Sequence, residues 1–248
     1  MSKFVWFEYV STDAPKAQGF YGELFGWGTK KVPLSGMDYT MIAQGDATIG
    51  GYLPTPEGVS KQATWLSHLR VDDAKAAAQK VKSLGGKILM DAEKLGSVGT
   101  KAVVADPHGG VLALWQPTDP NEKSTPAATG RFCWNELTSK DPAASVAFYQ
   151  ALGGFSTDSM DMGPEMGTYH LLKTGDTMIA GIMKAPMAEA PHAWTPYVQV
   201  TSADQTADKA KRLGAHLIVP PTDIPNVGRF AIFADPQGAV LGILQPSA

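Results

Sequence analysis

Two tryptophan and glutamate pairs are the residues best suited by type and spacing to do chemistry. Trp6-Phe7-Glu8 recurs as Trp134-Asn135-Glu136, each 128 positions on (134 − 6 = 128). Residues two apart on a strand share a face, so each carboxylate is set on the side of its indole. Desolvation disfavours the charged form of a carboxylate, the condition for general acid or base work, and Glu8 and Glu136 are the candidate catalytic residues. A carboxylate can equally sit at a solvated rim or satisfy backbone amides. Trp6 and Trp134 are candidates to stack on a flat apolar or aromatic ligand; the alternative is that the indoles are core. His68 and Tyr197 correspond across the chain (197 − 68 = 129) and are candidates to orient a ligand. Arg229 could meet an anionic group, whereas its counterpart Thr100 cannot, so the two copies need not be equivalent.

Other chemistries lack their residues. Cys133 is the sole cysteine, which excludes an intrachain disulfide and a cysteine-cluster zinc site. No Gly-x-Gly-x-x-Gly, Walker-type loop or Gly-x-Ser-x-Gly elbow occurs, so nucleotide and serine-hydrolase readings have no support. The 24 acids and 21 bases are interspersed, and no basic run exceeds Lys30-Lys31, so nucleic acid is not an expected partner. Every apolar stretch is interrupted well before the roughly 20 residues a membrane helix needs. From Met1 the chain passes almost at once into an alternating strand, so no export signal is expected. The expectation is a cytoplasmic monomer or homodimer, without a membrane partner, that takes a small-molecule ligand.

The elements that must position these residues come from a repeat. Phe20-Tyr21 recurs as Phe148-Tyr149, Leu84-Gly85 as Leu213-Gly214, and Ala105-Asp106-Pro107 as Ala234-Asp235-Pro236, at offsets of 128 or 129 (148 − 20; 213 − 84; 234 − 105). The polar stretch from Thr118 to Pro126 lacks periodicity, which places a first domain at 1–117, a linker at 118–129 and a second domain at 130–248. Inside each copy a strand, a capped helix and three strands occur twice. Ala17, Phe20, Tyr21 and Leu24 share a helical face between the cap Asp13 and the terminator Gly26. Ala74, Ala77, Ala78, Val81 and Leu84 form the stripe of a second helix, and the other copy repeats both. In 65–71, Trp65, Ser67, Leu69 and Val71 are expected beneath the helices, with Leu66, His68 and Arg70 on the opposite face. The fold expected is α+β: four βαβββ units forming curved mixed sheets with helices on the outer face, four helices and about sixteen strands in all.

These motifs resemble the vicinal oxygen chelate superfamily of glyoxalase I, bleomycin-resistance proteins and extradiol dioxygenases. They are Asp13 followed by the helix with Phe20-Tyr21 and Leu24-Phe25-Gly26-Trp27, the Val71-Asp72-Asp73 strand end, Leu84-Gly85-Gly86, and Asp106-Pro107-x-Gly109, most of them repeated in the second copy. Trp-x-Glu on the first strand and Val227-Gly228-Arg229-Phe230 are similar to a tandem glyoxalase-like group that includes a mycobacterial culture-filtrate antigen. The resemblance implies a divalent metal in each copy, held by His, Gln or Glu on related strands. Its ligand positions fall on Trp6, Leu66, Ala113 and Gly51 in the first copy, and on Trp134, Thr195, Gly242 and Gly181 in the second. Such side chains are poor or impossible ligands, so neither a metal nor another cofactor is expected.

The leading expectation is therefore a metal-independent binding protein of the glyoxalase/bleomycin-resistance type for an apolar or aromatic ligand. One alternative is an enzyme of the superfamily, a lyase, isomerase or dioxygenase-like protein, lactoylglutathione-lyase-like activity included, using Glu8, Glu136 or a non-standard metal site. Another is a structural or antigen-like interaction protein.

Overall fold

A computed structural model describes residues 2–57, 61–122, 124–163 and 167–247. Among them are four helices and sixteen strands. The first copy contributes β1 (Phe4–Ser11), α1 (Ala14–Phe25), β2 (Gly28–Leu34), β3 (Met37–Gln44), β4 (Ala47–Pro54), β5 (Thr64–Arg70), α2 (Ala74–Ser83), β6 (Lys87–Leu95), β7 (Gly99–Ala105) and β8 (Val111–Pro117). The second contributes β9 (Phe132–Ser139), α3 (Pro142–Gly153), β10 (Ser156–Asp161), β11 (Thr168–Thr174), β12 (Thr177–Lys184), β13 (Ala193–Gln199), α4 (Ala203–Arg212), β14 (His216–Ile224), β15 (Gly228–Ala234) and β16 (Val240–Pro246).

Local chemistry sets the helix ends. Asp13, Asp73, Asp141 and Ser202 each accept a hydrogen bond from the backbone amide three residues on, satisfying a donor that the first helical turn leaves open. Gly26 and Gly154 end α1 and α3 at φ of 73° and 66°, left-handed values that suit a residue without a Cβ. The buried residues of α1 are the predicted Ala17, Phe20, Tyr21 and Leu24, and those of α2 are Ala74, Ala78 and Val81.

Two mixed eight-stranded sheets result, in the orders β2-β3-β4-β1-β5-β8-β7-β6 and β10-β11-β12-β9-β13-β16-β15-β14. Each takes its strands from one copy. β1 runs parallel to β4 and β5 parallel to β8, while hairpins make the outer pairs antiparallel.

Packing groups the modules differently. One compact unit comprises Met1–Trp6, Ser67–Ser124 and Trp134–Trp194, and the other Phe7–Leu66, Thr125–Cys133 and Thr195–Ala248. Each thus collects one βαβββ module from either copy. In the first unit, Leu69, Val71, Ala102, Val104, Leu112 and Leu114 pack with Ala78 and Val81 of α2. The same core continues through Phe148, Tyr149 and Leu152 of α3. In the second unit, Tyr9, Tyr21, Trp27, Trp65 and Phe132 make ring contacts, with centroids 5.1 Å apart for Tyr9 and Trp65. Burying each such apolar side chain contributes about 1.5–3 kcal/mol, which is why the modules associate through their helix faces. No described helix is long and apolar enough to cross a membrane.

Candidate functional site

The second of the two glutamates lies in a chain of three side chains. Parallel pairing sets Glu136 of β9 beside Gly181 of β12. The Tyr169 hydroxyl donates to Glu136 Oε2 at 2.8 Å and itself accepts from Trp134 Nε1 at 3.0 Å. A Cβ added at Gly181 would collide with the Tyr169 phenol, so the missing side chain makes room for that ring. Burial, and then the charge of Glu136, raises the Tyr169 phenol far above its usual range, so it remains a proton donor.

The other unit repeats the arrangement. Glu8 stands beside Gly51, the Tyr39 hydroxyl donates to Glu8 Oε1 at 3.0 Å, and the Tyr39 ring fills the space that a side chain at Gly51 would need. Glu8 is 4% exposed and Glu136 9%, while Trp6 and Trp134 are half-buried. Neither carboxylate is at a solvated rim.

The remaining candidates separate. His68 is buried on β5, its Cα in register with Ala113, and its ring lies 6.5 Å from that of Trp115. It occupies the predicted face, since Leu69 and Val71 of the opposite parity lie in the core with α2. Lys101 of β7, in register with Trp115, is buried on the same face as His68. Tyr197, the counterpart of His68, lays its ring over Gly242. Arg229 is held by Asp204 in a two-pronged pair at 2.8 and 3.0 Å, and by Asp223 at 2.9 Å. Its partner on α4 places it on the helix side of β15, apart from the glutamates. Cys133 is half-buried and burial pushes its thiol up to about 12, which makes it a poor nucleophile.

A pair of aspartate networks was not among the sequence candidates. Asp106 Oδ1 accepts from the amides of His108 and Gly110, each at 2.9 Å. Its Oδ2 accepts from the Tyr149 hydroxyl and meets His192 Nε2, each at 2.8 Å. Tyr149 accepts in turn from Trp194 Nε1 at 2.9 Å. In the other unit Asp235 receives the Tyr9 and Tyr21 hydroxyls at 2.7 and 2.9 Å, and Trp65 donates to Tyr21 at 3.0 Å. Burial pushes the Asp106 carboxyl up, but hydrogen bonds from His192, Gly110 and Tyr149 outweigh it and hold the group below the ordinary carboxylate range. The signal available in the sequence was the repetition of all three types, Tyr21 and Tyr149, Trp65 and Trp194, Asp106 and Asp235.

The residues at the positions implied for a metal do not fit one. Indole, isobutyl and methyl side chains stand at positions 6, 66, 113 and 134, none with a lone pair for a metal, and glycines at 51, 181 and 242, with tyrosine rings filling the space over all three glycines. Thr195 is a weak donor. Among the described residues, no group of three or more His, Cys, Asp or Glu is placed to hold an ion.

Comparison with known proteins supplies the family context. The model of the Glyoxalase/Bleomycin resistance protein/Dioxygenase superfamily matches residues 3–114 and 131–243. A protein of Mycobacterium tuberculosis (strain CDC 1551 / Oshkosh) named "Putative glyoxylase CFP32" is 36% identical over 98% of this chain and 94% of its own. The anthracycline biosynthesis protein DnrV of Streptomyces peucetius is 28% identical over 97% of this chain and 92% of its own. Among solved structures, the Mn(II)-bound glyoxalase from Novosphingobium aromaticivorans is similar in fold, with a TM-score of 0.65 at 16% identity, covering 99% of this chain and 83% of that one.

Proposed function

Because the chain belongs to the Glyoxalase/Bleomycin resistance protein/Dioxygenase superfamily, we propose that it binds a small apolar or aromatic molecule, without a divalent metal, against the aromatic surfaces beside Glu8 and Glu136. The observation that carries this reading is the tyrosine hydroxyl donated to each glutamate, with its ring filling the glycine position where the resemblance implies an acid. In both copies a phenol fills the space where the resemblance implies a metal donor, and a half-buried indole stands two residues from the carboxylate. Such a surface recognises a ligand by stacking and area burial, while the carboxylate supplies one directed polar contact.

A second reading, that the protein is an enzyme, is favoured by the burial of both carboxylates. A buried glutamate with a fixed phenol donor is arranged to take or return a proton, and the names of the M. tuberculosis and S. peucetius relatives are those of a glyoxylase and a biosynthetic protein. We take the protein as cytoplasmic and as a monomer or homodimer, which fractionation and size-exclusion chromatography test.

The deciding experiment is tryptophan quenching on titration with a panel of aromatic metabolites, for wild type, Trp6→Ala and Trp134→Ala, with folding checked by circular dichroism. Loss of a stacked indole should cost about 1–3 kcal/mol, at least several-fold in affinity. A ligand that binds both folded variants as it binds wild type refutes the aromatic-surface reading. Stoichiometric metal in chelator-free protein refutes its metal-independent part. Turnover lost in Glu8→Gln or Glu136→Gln with binding retained selects the enzyme.

A further inference from the structure

Ser67 and Asn135 meet in the interior of the first unit. Ser67 shares the parity of Leu69 on β5, and Asn135 that of Leu137 on β9, both residues of the core that packs with α2 and α3. The Ser67 hydroxyl donates to Asn135 Oδ1 at 3.0 Å, and the two residues are 0% and 1% exposed. Asn135 Nδ2 has no partner, so this is the only hydrogen bond of the amide among the described residues. A leucine has the same branched outline and would bury there without an unsatisfied donor, so packing alone gives no reason for the asparagine.

The repeat shows that the fold requires neither residue. The same positions in the second unit hold Pro196 and Phe7, both buried, at the offsets of 129 and 128 that relate the copies (196 − 67 = 129; 135 − 7 = 128). In each unit a module of one copy packs against a module of the other. Duplication makes a rival available, in which two chains pair first copy with first copy and second with second. The aspartate networks do not discriminate against it. Asp106 would then receive Tyr9 and Tyr21, and Asp235 would receive Tyr149 and His192, so both carboxylates stay satisfied. The Ser67 and Asn135 pair does discriminate. Like pairing would set Asn135 against Pro196, whose ring offers no donor or acceptor, and Ser67 against the ring of Phe7.

We infer that Ser67 and Asn135 select the partner of these module faces: the first copy accepts the second copy and refuses another of its own kind. A buried polar pair satisfied in one arrangement only fixes register and partner in other assemblies, at some cost in stability. Here the refused partner is the same copy in a second chain, where a buried amide would lose its one hydrogen bond. The tether between Pro117 and Phe132 then favours the copy on the same chain, by effective concentration. Pair and tether together keep two chains from exchanging modules, independently of what the protein binds.

The test removes the tether and leaves the pairing to the faces. A protease site inserted between Lys123 and Ser124 nicks the folded full-length chain into halves of different mass, and native mass spectrometry after urea unfolding and refolding counts unlike and like pairs. Unlike pairs should dominate in wild type. In Ser67→Ala/Asn135→Leu, which leaves neither polar group behind, the ratio of unlike to like pairs should fall about tenfold, while the urea midpoint of the intact chain is not lowered. An unchanged ratio overturns the inference, whatever the midpoint does. Phe148→Leu is the control, at a position that is phenylalanine in both copies, Phe20 being its counterpart. It should lower the midpoint and leave the ratio, and an equal fall in its ratio also overturns the inference. The same ratio is read without unfolding, by letting the diluted nicked protein exchange, so a half that refolds poorly does not hide the result.

Discussion

His192 and Asp106, 86 residues apart in the chain, meet at 2.8 Å with both side chains 2% exposed. Lys140 donates its backbone N–H to the other ring nitrogen of His192 at 3.3 Å, so the imidazole bridges two copies of the repeat within one compact unit. The equivalent carboxylate, Asp235, uses two phenols instead.

This relationship predicts acid sensitivity. The folded-state pKa of Asp106 is depressed, so its contribution is complete above its ordinary value of 3.8 and is withdrawn as pH falls through the lower folded value. Asp106→Asn should lose about 1–3 kcal/mol at neutral pH, the usual cost of leaving buried hydrogen-bonding groups imperfectly satisfied. Its stability should also fall less than that of wild type on acidification. Urea unfolding between pH 7 and pH 3 checks both; parallel acid limbs would show that Asp106 is not the titrating group.

The glycines under the tyrosines predict steric coupling. Gly181→Ala should cost about 1–3 kcal/mol through overpacking against Tyr169. In a Tyr169→Ala background the same change should cost much less, and a double-mutant cycle measures the difference. Additive costs would place the strain elsewhere. Gly51 and Tyr39 should behave alike.

Tyr169→Phe removes one hydroxyl that both donates to Glu136 and accepts from Trp134, and should destabilise by about 1–3 kcal/mol. Glu136→Gln retains an acceptor oxygen and should cost less. Equilibrium denaturation of the two variants gives the order; the reverse order would mean that charge, and not the phenol bridge, holds the strand.

With its thiol pushed up to about 12, Cys133 should resist a disulfide reagent at pH 8 in the native protein and react at once in denaturant. Rapid native labelling would indicate that the strand carrying it opens readily.

What the sequence by itself determined is the part governed by local physics and by duplication. The caps Asp13 and Asp141, the terminators Gly26 and Gly154, the α1 stripe and the parity that separates His68 from Leu69 depend on neighbours within a turn or a strand, and the repeat doubled each signal. Burial of Glu8 and Glu136 was within reach because a tryptophan two residues away marks the face.

Only the tertiary structure decided which side chains meet. Tyr39 reaches Glu8 across 31 residues, Tyr149 reaches Asp106 across 43, and Tyr9 reaches Asp235 across 226. Arg229, a candidate in the sequence to meet an anionic ligand group, is bound by Asp204 across 25. Such pairings depend on strand order, on register, on which module packs against which, and on the volume a glycine leaves open. Periodicity along the chain carries no information about these, because a strand's alternation fixes the face of a side chain and not its neighbour.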